Sequence, residues 1–584
     1  MSEQTTIVAA ANVPTPRTSS PETLLATRIR FCAMMLLSIA GAIEAIFNRN
    51  TMNPDGICYL DMGDAMWRGD WHMAINGYWS PLYPWIEGLA LKLFHPTAYS
   101  QYSVVHFVNF LIYLFALYCF DLFLRSLVTN RDRSTNSKPN TDWLPNWAVF
   151  LVGYAVFFWA SLSETRMETV SPDLLMAGFL YLGVSVLLKI WAQPQNSSLY
   201  VLLGATLGLG YLAKAPFFPL AFVFFALALI LTRNLRKCIP RVAAAFLVFL
   251  VVAGPWIVGL SRAKNRITFG DSGKVNYVMW VNGASPAYYF VTLGTAAGRY
   301  SHSLRQISST PVIYEFASPV QGTLPIWYDA SYWADGAVPR VLFRRQLAVV
   351  KEWLSFYLEK LITSQVALLV GFLVLAFIAA ASFLKPFAVA WPAWLIGVLG
   401  LGMYALVHVE KRYIAVLFAL FWVGLYSGLK GPVTNSKRQI ASVVVVGVAL
   451  AMAVPTGISV LRDLAHIKGP PNRIWRIAED LRMQGVKPGD RVARIGGRFG
   501  TVYWARLLGV TVVAEIPLAC EKDFWNASPQ VQAQVIDKFR RLGVTAIVGD
   551  MTSTDEVYIP GPEWHRLGTE GKYYALTLVP PARD

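Results

Sequence analysis

The chain has 584 residues, of which 55% are hydrophobic, 14% aromatic and only 15% charged, and its formal net charge is +16 at pH 7. A mean hydropathy of +0.44 is far too apolar for a soluble domain with a solvated surface, so the composition specifies an integral membrane protein. The Lys and Arg excess fits cationic membrane loops and anionic partners such as lipid phosphates, and nothing in the pattern implies nucleic acid.

Residues 1–30 read as a polar cytoplasmic tail, because Pro14, Pro16 and Pro21 precede the first apolar segment without a basic n-region or a small-residue cleavage site. Runs near the roughly 20 residues that cross about 30 Å of hydrocarbon then recur at Phe31–Phe47, Tyr102–Val128, Trp147–Ala160, Leu174–Ala192, Leu199–Ala213, Phe217–Leu231, Val242–Leu260, Ile362–Phe383, Phe387–Val407, Tyr413–Leu429 and Ile440–Val460. They predict an α-helical polytopic membrane protein with about 11 transmembrane helices over residues 31–460. With the N-terminus inside, the short inner loops hold Arg131, Arg133 and Lys138, then Arg233, Arg236, Lys237 and Arg241, then Lys430, Lys437 and Arg438, as the positive-inside tendency requires. Residues 48–101, 161–173, 261–361, 408–412 and everything beyond 461 then face outward.

The first outer loop, 48–101, opens on Asp55 directly after the first span. A carboxylate at the mouth of a bundle is costly unless solvated, paired or used, so it is a candidate for function. The plainer reading is an Asp that caps a helix beginning at Gly56. Ile57, Leu60, Asp64, Trp67 and Arg68 recur at helical spacing and predict an amphipathic helix at the interface. A second interfacial helix follows within Trp79–Phe94, too short to span and interrupted by Glu87 and Lys92.

The second outer loop concentrates Glu164, Arg166, Glu168 and Asp173. Such charges serve as solvated punctuation, and Asp173 after Pro172 serves equally as a first-turn acid favourable to the helix dipole. Lys214 follows Gly204, Gly208 and Gly210, glycines that let helices approach closely. Its ammonium either snorkels to the headgroups or points into an outer cavity at phosphate depth. Arg412, in His408-Val-Glu-Lys-Arg-Tyr, starts a span at the outer face. A cation there opposes both the inside bias and the helix dipole, which calls for an anionic partner.

The long outer loop, 261–361, is basic and aromatic, with Arg262, Lys264, Arg266, Lys274, Arg299, Arg305, Arg340, Arg344 and Arg345, and it is placed to form a lid. Its Tyr288, Tyr289, Trp327, Tyr328, Tyr332 and Trp333 suit either sugar stacking or the membrane interface. Beyond 461 the composition becomes that of a small extracytoplasmic α/β domain, with strands at 490–495, 510–514 and 544–548 and helices at 474–483 and 529–542. Gly496-Gly-Arg-Phe-Gly500 misses the full dinucleotide-binding spacing and reads as a strand-to-helix turn. The five cysteines lack metal spacing, although Cys58 and Cys520 share the outer side; no H-x-x-x-H pair and no D-x-D triplet occurs, so no cofactor or divalent cation is implied.

Asp55 after the first span, Ser80-Pro-Leu-Tyr-Pro before the second, Ser171-Pro-Asp-Leu-Leu at the fourth, Gly210-Tyr-Leu-Ala-Lys-Ala-Pro closing the fifth and Arg412-Tyr at the tenth follow one another in an order that resembles the GT-C glycosyltransferases. Within them the chain is similar to the protein O-mannosyltransferase-like group, which includes aminoarabinose and rhizobial galacturonic acid transferases; the resemblance covers roughly the first 430 residues. It implies juxtamembrane helices over an outer cavity and transfer of a sugar from a polyprenyl-phosphate donor to an envelope glycolipid, polysaccharide or protein, at a cell inner membrane. It further implies Asp55 as general base; Asp173, Glu164, Glu168 and Tyr83 in the sugar cavity; and Lys214, Arg412 and Lys411 on the lipid phosphate. Much of the group carries Asp-Glu where this chain has Asp55-Gly56. The rival class is a multi-pass transporter or flippase-like protein, whose ionisable groups belong near the bilayer midplane.

Overall fold

A helix occupies each apolar run. The computed structural model describes residues 21–134, 144–232, 234–283, 302, 304–316, 320–378, 390–429, 434–468, 473–497, 501–551, 558, 560–568 and 572–578. Six described helices are long and apolar enough to cross a membrane: Glu22–Phe47, Gln101–Arg131, Asn146–Thr165, Asp173–Ala192, Leu235–Ala263 and Asn435–Ala465. Phe343–Ile362 and Val366–Ile378, bent by 69° at their junction, add a seventh if the pair is one span. Ser197–Ala213, Phe217–Ile230 and Trp391–Ala405 are apolar but shorter, as is the 17-residue Lys411–Ser427. The tail before Pro21, together with Lys138, Arg233, Lys430, Tyr288, Tyr289 and Arg299, lies outside the described residues.

Small residues set how closely these helices pack. A side chain at Gly208 would run into Val252 and one at Gly210 into Phe217, so the glycines before Lys214 serve helix approach. Away from Asp55, Asp121 holds three helices together: it accepts from Arg30 Nε at 3.0 Å and Arg125 Nε at 2.9 Å and from the Tyr154 hydroxyl at 2.7 Å. This intramembrane carboxylate is fully paired, which is how such a charge is tolerated away from water.

The helix Pro54–Arg68 corrects one expectation. It does not lie half-exposed on the interface, because every residue from Gly56 to Met66 except Asp64 is buried. It crosses Leu82–Phe94 where Gly63 meets Gly88, a contact so close that a Cβ on Gly88 would stand 2.7 Å from the Gly63 carbonyl carbon. Polar groups on its outer face are taken by protein, not water. The second helix does keep an apolar exposed edge at Trp85, Leu93 and Phe94, with the Lys92 ammonium 5.2 Å from the Trp67 ring. Within the long outer loop the structure adds a helix, Phe343–Ile362, whose Phe343, Leu347, Leu354, Leu358 and Ile362 are exposed.

The C-terminal layer is a seven-stranded mixed sheet in the order β1-β2-β4-β3-β5-β7-β6. Strands β3 (Arg491–Gly496), β4 (Thr511–Ile516) and β5 (Val544–Asp550) are the three expected runs and pair in parallel. Helices Arg473–Met483 and Pro529–Arg541 are present. Two edge pairs were not anticipated. β1 (Arg305–Ser309) and β2 (Val312–Glu315) come from the long outer loop and join β4 antiparallel, while β6 (His565–Leu567) and β7 (Tyr573–Thr577) extend the other side. The sheet therefore draws strands from before residue 461. After β3, Gly496 and Gly497 have φ of +69° and +76°, a left-handed turn that glycine adopts without strain, and helix Tyr503–Leu508 follows; Gly500 itself lies outside the described residues. Cys58 and Cys520 are both free thiols.

Candidate active site

Asp55 sits in the first turn of its helix, after Asn53 as the N-cap and Pro54 at the first helical position. It is not the cap. The Asn53 side chain is itself committed across the site, accepting from the Val170 amide at 2.9 Å and donating to the Val170 carbonyl at 3.3 Å. The Asp55 carboxylate takes one donor on each oxygen: Trp327 Nε1 at 3.1 Å on Oδ1 and Arg412 Nη2 at 3.2 Å on Oδ2.

Asp173 opens the helix Asp173–Ala192 directly after Pro172, accepts the Ser171 hydroxyl at 2.9 Å, and pairs with the Lys214 ammonium. Lys214 is delivered by a break: its backbone is extended between Ser197–Ala213 and the next helix, and its Nζ stands 3.7 Å from the Tyr413 ring centroid, a cation–π contact. Arg412, the second residue of Lys411–Ser427, is the hub. Its Nε donates to Glu410 Oε2 at 2.7 Å and lies 3.6 Å from Asp173 Oδ2, while Nη2 reaches Asp55. The anionic partner that the sequence demanded for Arg412 is thus three carboxylates.

Burial works to raise the Glu410 pKa, but the hydrogen bond from His408 and the Arg412 charge prevail and pull it down to about 2. Glu410 is therefore charged at neutral pH. His408 is held in turn by Trp280, stacked on it at 3.9 Å.

Asp55, Asp173, Lys214, Arg412 and His408 line one cavity of about 550 Å³. Tyr78 and Trp79 add aromatic surface to it, and Phe218, Ile267, Phe269 and Met403 apolar surface, with the charged Arg266, Asp271 and Lys274 beside them. Phe218 and Phe269 stack at 4.2 Å, and Ile267 is 94% exposed. The cavity thus brings charged, aromatic and apolar side chains together. Among the described residues no group of three His, Cys, Asp or Glu is placed to hold a metal ion.

Other sequence candidates lie elsewhere. Glu164 is turned away and pairs with Lys360 at 3.6 Å, a residue of the unanticipated helix Phe343–Ile362. Glu168 is 47% exposed and pairs with its neighbour Arg166 at 2.7 Å. Tyr83 is buried behind the wall, donating to Asn109 Oδ1 at 2.7 Å with its ring edge against Tyr59 at 5.1 Å. Lys411 is exposed and points off the cavity lining. Tyr328 and Trp333 are internal anchors, bonded to the Met73 and Pro325 carbonyls at 2.6 and 3.1 Å. Glu410, Tyr59, Tyr78 and Trp79 are the site residues that the sequence did not single out; Glu410 lies two positions from Arg412, and Trp79 adjoins the Ser80-Pro motif.

No protein-family model matches the chain, and neither does any curated protein. Among solved structures, ArnT from Cupriavidus metallidurans in the apo state is 13% identical and superposes with a TM-score of 0.40, covering 93% of this chain and 98% of its own. ArnT from the same organism bound to undecaprenyl phosphate gives 12% and 0.39, with 95% and 98% covered. An oligosaccharyltransferase from Archaeoglobus fulgidus in the apo form gives 13% and 0.47, with 89% and 69% covered. Likeness at that level leaves the functional reading to this chain's own residues.

Proposed function

We propose that this chain is a membrane glycosyltransferase of the GT-C kind, moving a sugar from a polyprenyl-phosphate donor to an envelope glycolipid, polysaccharide or protein on the extracytoplasmic face of an inner membrane. The observation that carries the reading is the convergence of Asp55, Lys214 and Arg412 on one cavity that Phe218 and Phe269 also line, in a chain whose motif order resembles that group. The phosphate belongs against Arg412 and Lys214, the sugar against Tyr78 and Trp79, and the start of the polyprenyl chain at Phe218 and Phe269.

In the transfer step the bond from the anomeric carbon to the phosphate oxygen breaks, and its electron pair leaves on the phosphate, held by the two cations. The acceptor oxygen or nitrogen attacks the opposite face, inverting the anomeric centre, and its proton passes to Asp55. Charge dictates the order of events. Without donor, three carboxylates, Asp55, Asp173 and Glu410, share two cations, and Asp55 Oδ2 is occupied by the Arg412 Nη2 donor. A phosphate that takes over part of the guanidinium releases Asp55 Oδ2 to accept the proton, so donor binds before acceptor. Glu410 keeps the guanidinium in place during the exchange.

Asp55→Asn tests the reading, because it keeps the side chain's size and one acceptor oxygen but removes the proton acceptor. In folded, purified protein it lowers sugar transfer roughly a hundredfold or more. Transfer near the parent rate would remove Asp55 as the base and turn the search to Asp173.

A further inference from the structure

Arg506 belongs to the short helix Tyr503–Leu508 beside the C-terminal sheet, yet all three of its side-chain nitrogens end on the transmembrane half. Nε donates to Gln101 Oε1 at 3.1 Å and Nη1 to Asp61 Oδ1 at 2.6 Å, while Nη2 lies 2.8 Å from Asp64 Oδ2. Both aspartates are on the Asp55 helix. A guanidinium occupied on every nitrogen is a clamp and has little left for a ligand.

Asp61 carries the clamp onward. It is buried, and besides Arg506 it accepts the Thr323 amide at 2.7 Å on Oδ2 and the Thr323 hydroxyl at 3.0 Å on Oδ1. The Thr323 carbonyl accepts from the Val512 amide of β4 at 3.0 Å, so the sheet grips this segment from the other side. Four residues later Trp327 donates to Asp55 Oδ1 at 3.1 Å. A continuous path of hydrogen bonds and a single turn of chain therefore joins Arg506, through Asp61 and Thr323, to the carboxylate that faces the cavity.

We infer that Trp327 and Arg506 are positioning residues for Asp55, so that the C-terminal α/β layer is a working part of the transfer site. The inference rests on Asp55 acting as the base. When donor phosphate draws Arg412 away, the Trp327 indole N–H is the donor that still fixes the carboxylate, holding Oδ1 and leaving Oδ2 toward the acceptor. Arg506 fixes the helix under Asp55 and, through Asp61, the segment that carries Trp327.

The test uses the full chain in nanodiscs, with an extract of the host envelope supplying both the polyprenyl-phosphate-sugar donor and the acceptor, and donor consumption followed by mass spectrometry. Trp327→Phe, Arg506→Lys and Asp61→Asn each lower the rate at saturating donor about tenfold, with apparent donor KM within about twofold and the thermal melt kept. Trp327→Phe combined with Arg506→Lys is no slower than the worse single variant, because both act through one carboxylate; two unrelated structural defects would multiply. If Arg506→Lys fails to fold, the combination of Trp327→Phe with Asp61→Asn decides by the same criterion. Folded single variants at the parent rate, or multiplicative losses in the combination, overturn the inference. Asp55→Asn run alongside separates the two claims: if it is inactive while Arg506→Lys and Trp327→Phe run at full speed, only the positioning role falls, whereas an active Asp55→Asn removes the base assignment and this role with it.

Discussion

Two clusters of arginine and carboxylate lie at opposite ends of the bundle, and they are wired in opposite senses. At the end away from the Asp55 cavity, in the inner cluster, one carboxylate, Asp121, receives Arg30, Arg125 and the Tyr154 hydroxyl. At the cavity end, in the outer cluster, one arginine, Arg412, is shared by Asp55, Asp173 and Glu410. The Asp121 oxygens are filled by donors from three helices, so this carboxylate ties those helices together. A cation shared among several anions can be traded for another anion, and the outer cluster opens on a cavity of about 550 Å³. The same residue types thus serve as a rivet or line a cavity according to which ion stands at the centre.

Breaking the outer cluster on its cationic side has the largest effect after loss of the base itself. Arg412→Ala and Lys214→Ala each weaken donor use by a few kcal/mol, the scale of a charge-assisted phosphate contact, while a lysine that merely snorkels would cost little. Donor titration of the purified variants measures it, and unchanged donor affinity and turnover in both would dissolve the contrast between the two clusters. Breaking the inner one should do the reverse. Asp121→Asn leaves the partly exposed Arg30 and Arg125 without their counter-charge and costs about 1–3 kcal/mol of stability, read as a lowered thermal melt, with transfer per folded molecule and donor affinity unchanged. A donor defect there would mean the inner cluster communicates with the site. The smallest effect belongs to the acids that lie off the cavity: Glu168→Gln, in an exposed pair worth about 0–1 kcal/mol, leaves rate and melt alone, and Glu164→Gln leaves the rate alone. A substantial rate loss in either would restore them to the cavity.

What the sequence made legible follows from what is local. Helices are announced by apolar runs, and buried parallel strands such as β3, β4 and β5 by short runs of Val, Ile and Ala, so both were readable. Arg412 was readable for a sharper reason: a cation at an outward helix start contradicts two electrostatic tendencies at once, which demanded the partners that the structure supplies. Other features depend on distant chain. Whether Glu164 faces the cavity is settled by Lys360, almost two hundred positions later, on a helix whose apolar residues alternate with enough charge to pass for loop. β1 reads Arg-Gln-Ile-Ser-Ser and pairs through β2, which docks on β4, a non-local event with no signature in four polar residues around one Ile. The Asp55 helix reads as amphipathic from the spacing of Ile57, Leu60, Asp64, Trp67 and Arg68, whereas its burial depends on Arg506 and Thr323, hundreds of residues away, which hold Asp61.

The most direct test compares binding of polyprenyl phosphate with sugar transfer in the parent and in Asp55→Asn. If Asp55 is a base restrained by Arg412 until donor arrives, then neutralising it frees the guanidinium: polyprenyl phosphate binds Asp55→Asn at least as tightly as the parent, while transfer drops roughly a hundredfold or more. Weaker phosphate binding together with transfer near the parent level would contradict the account, because Asp55 would then be serving the arginine instead of the acceptor's proton.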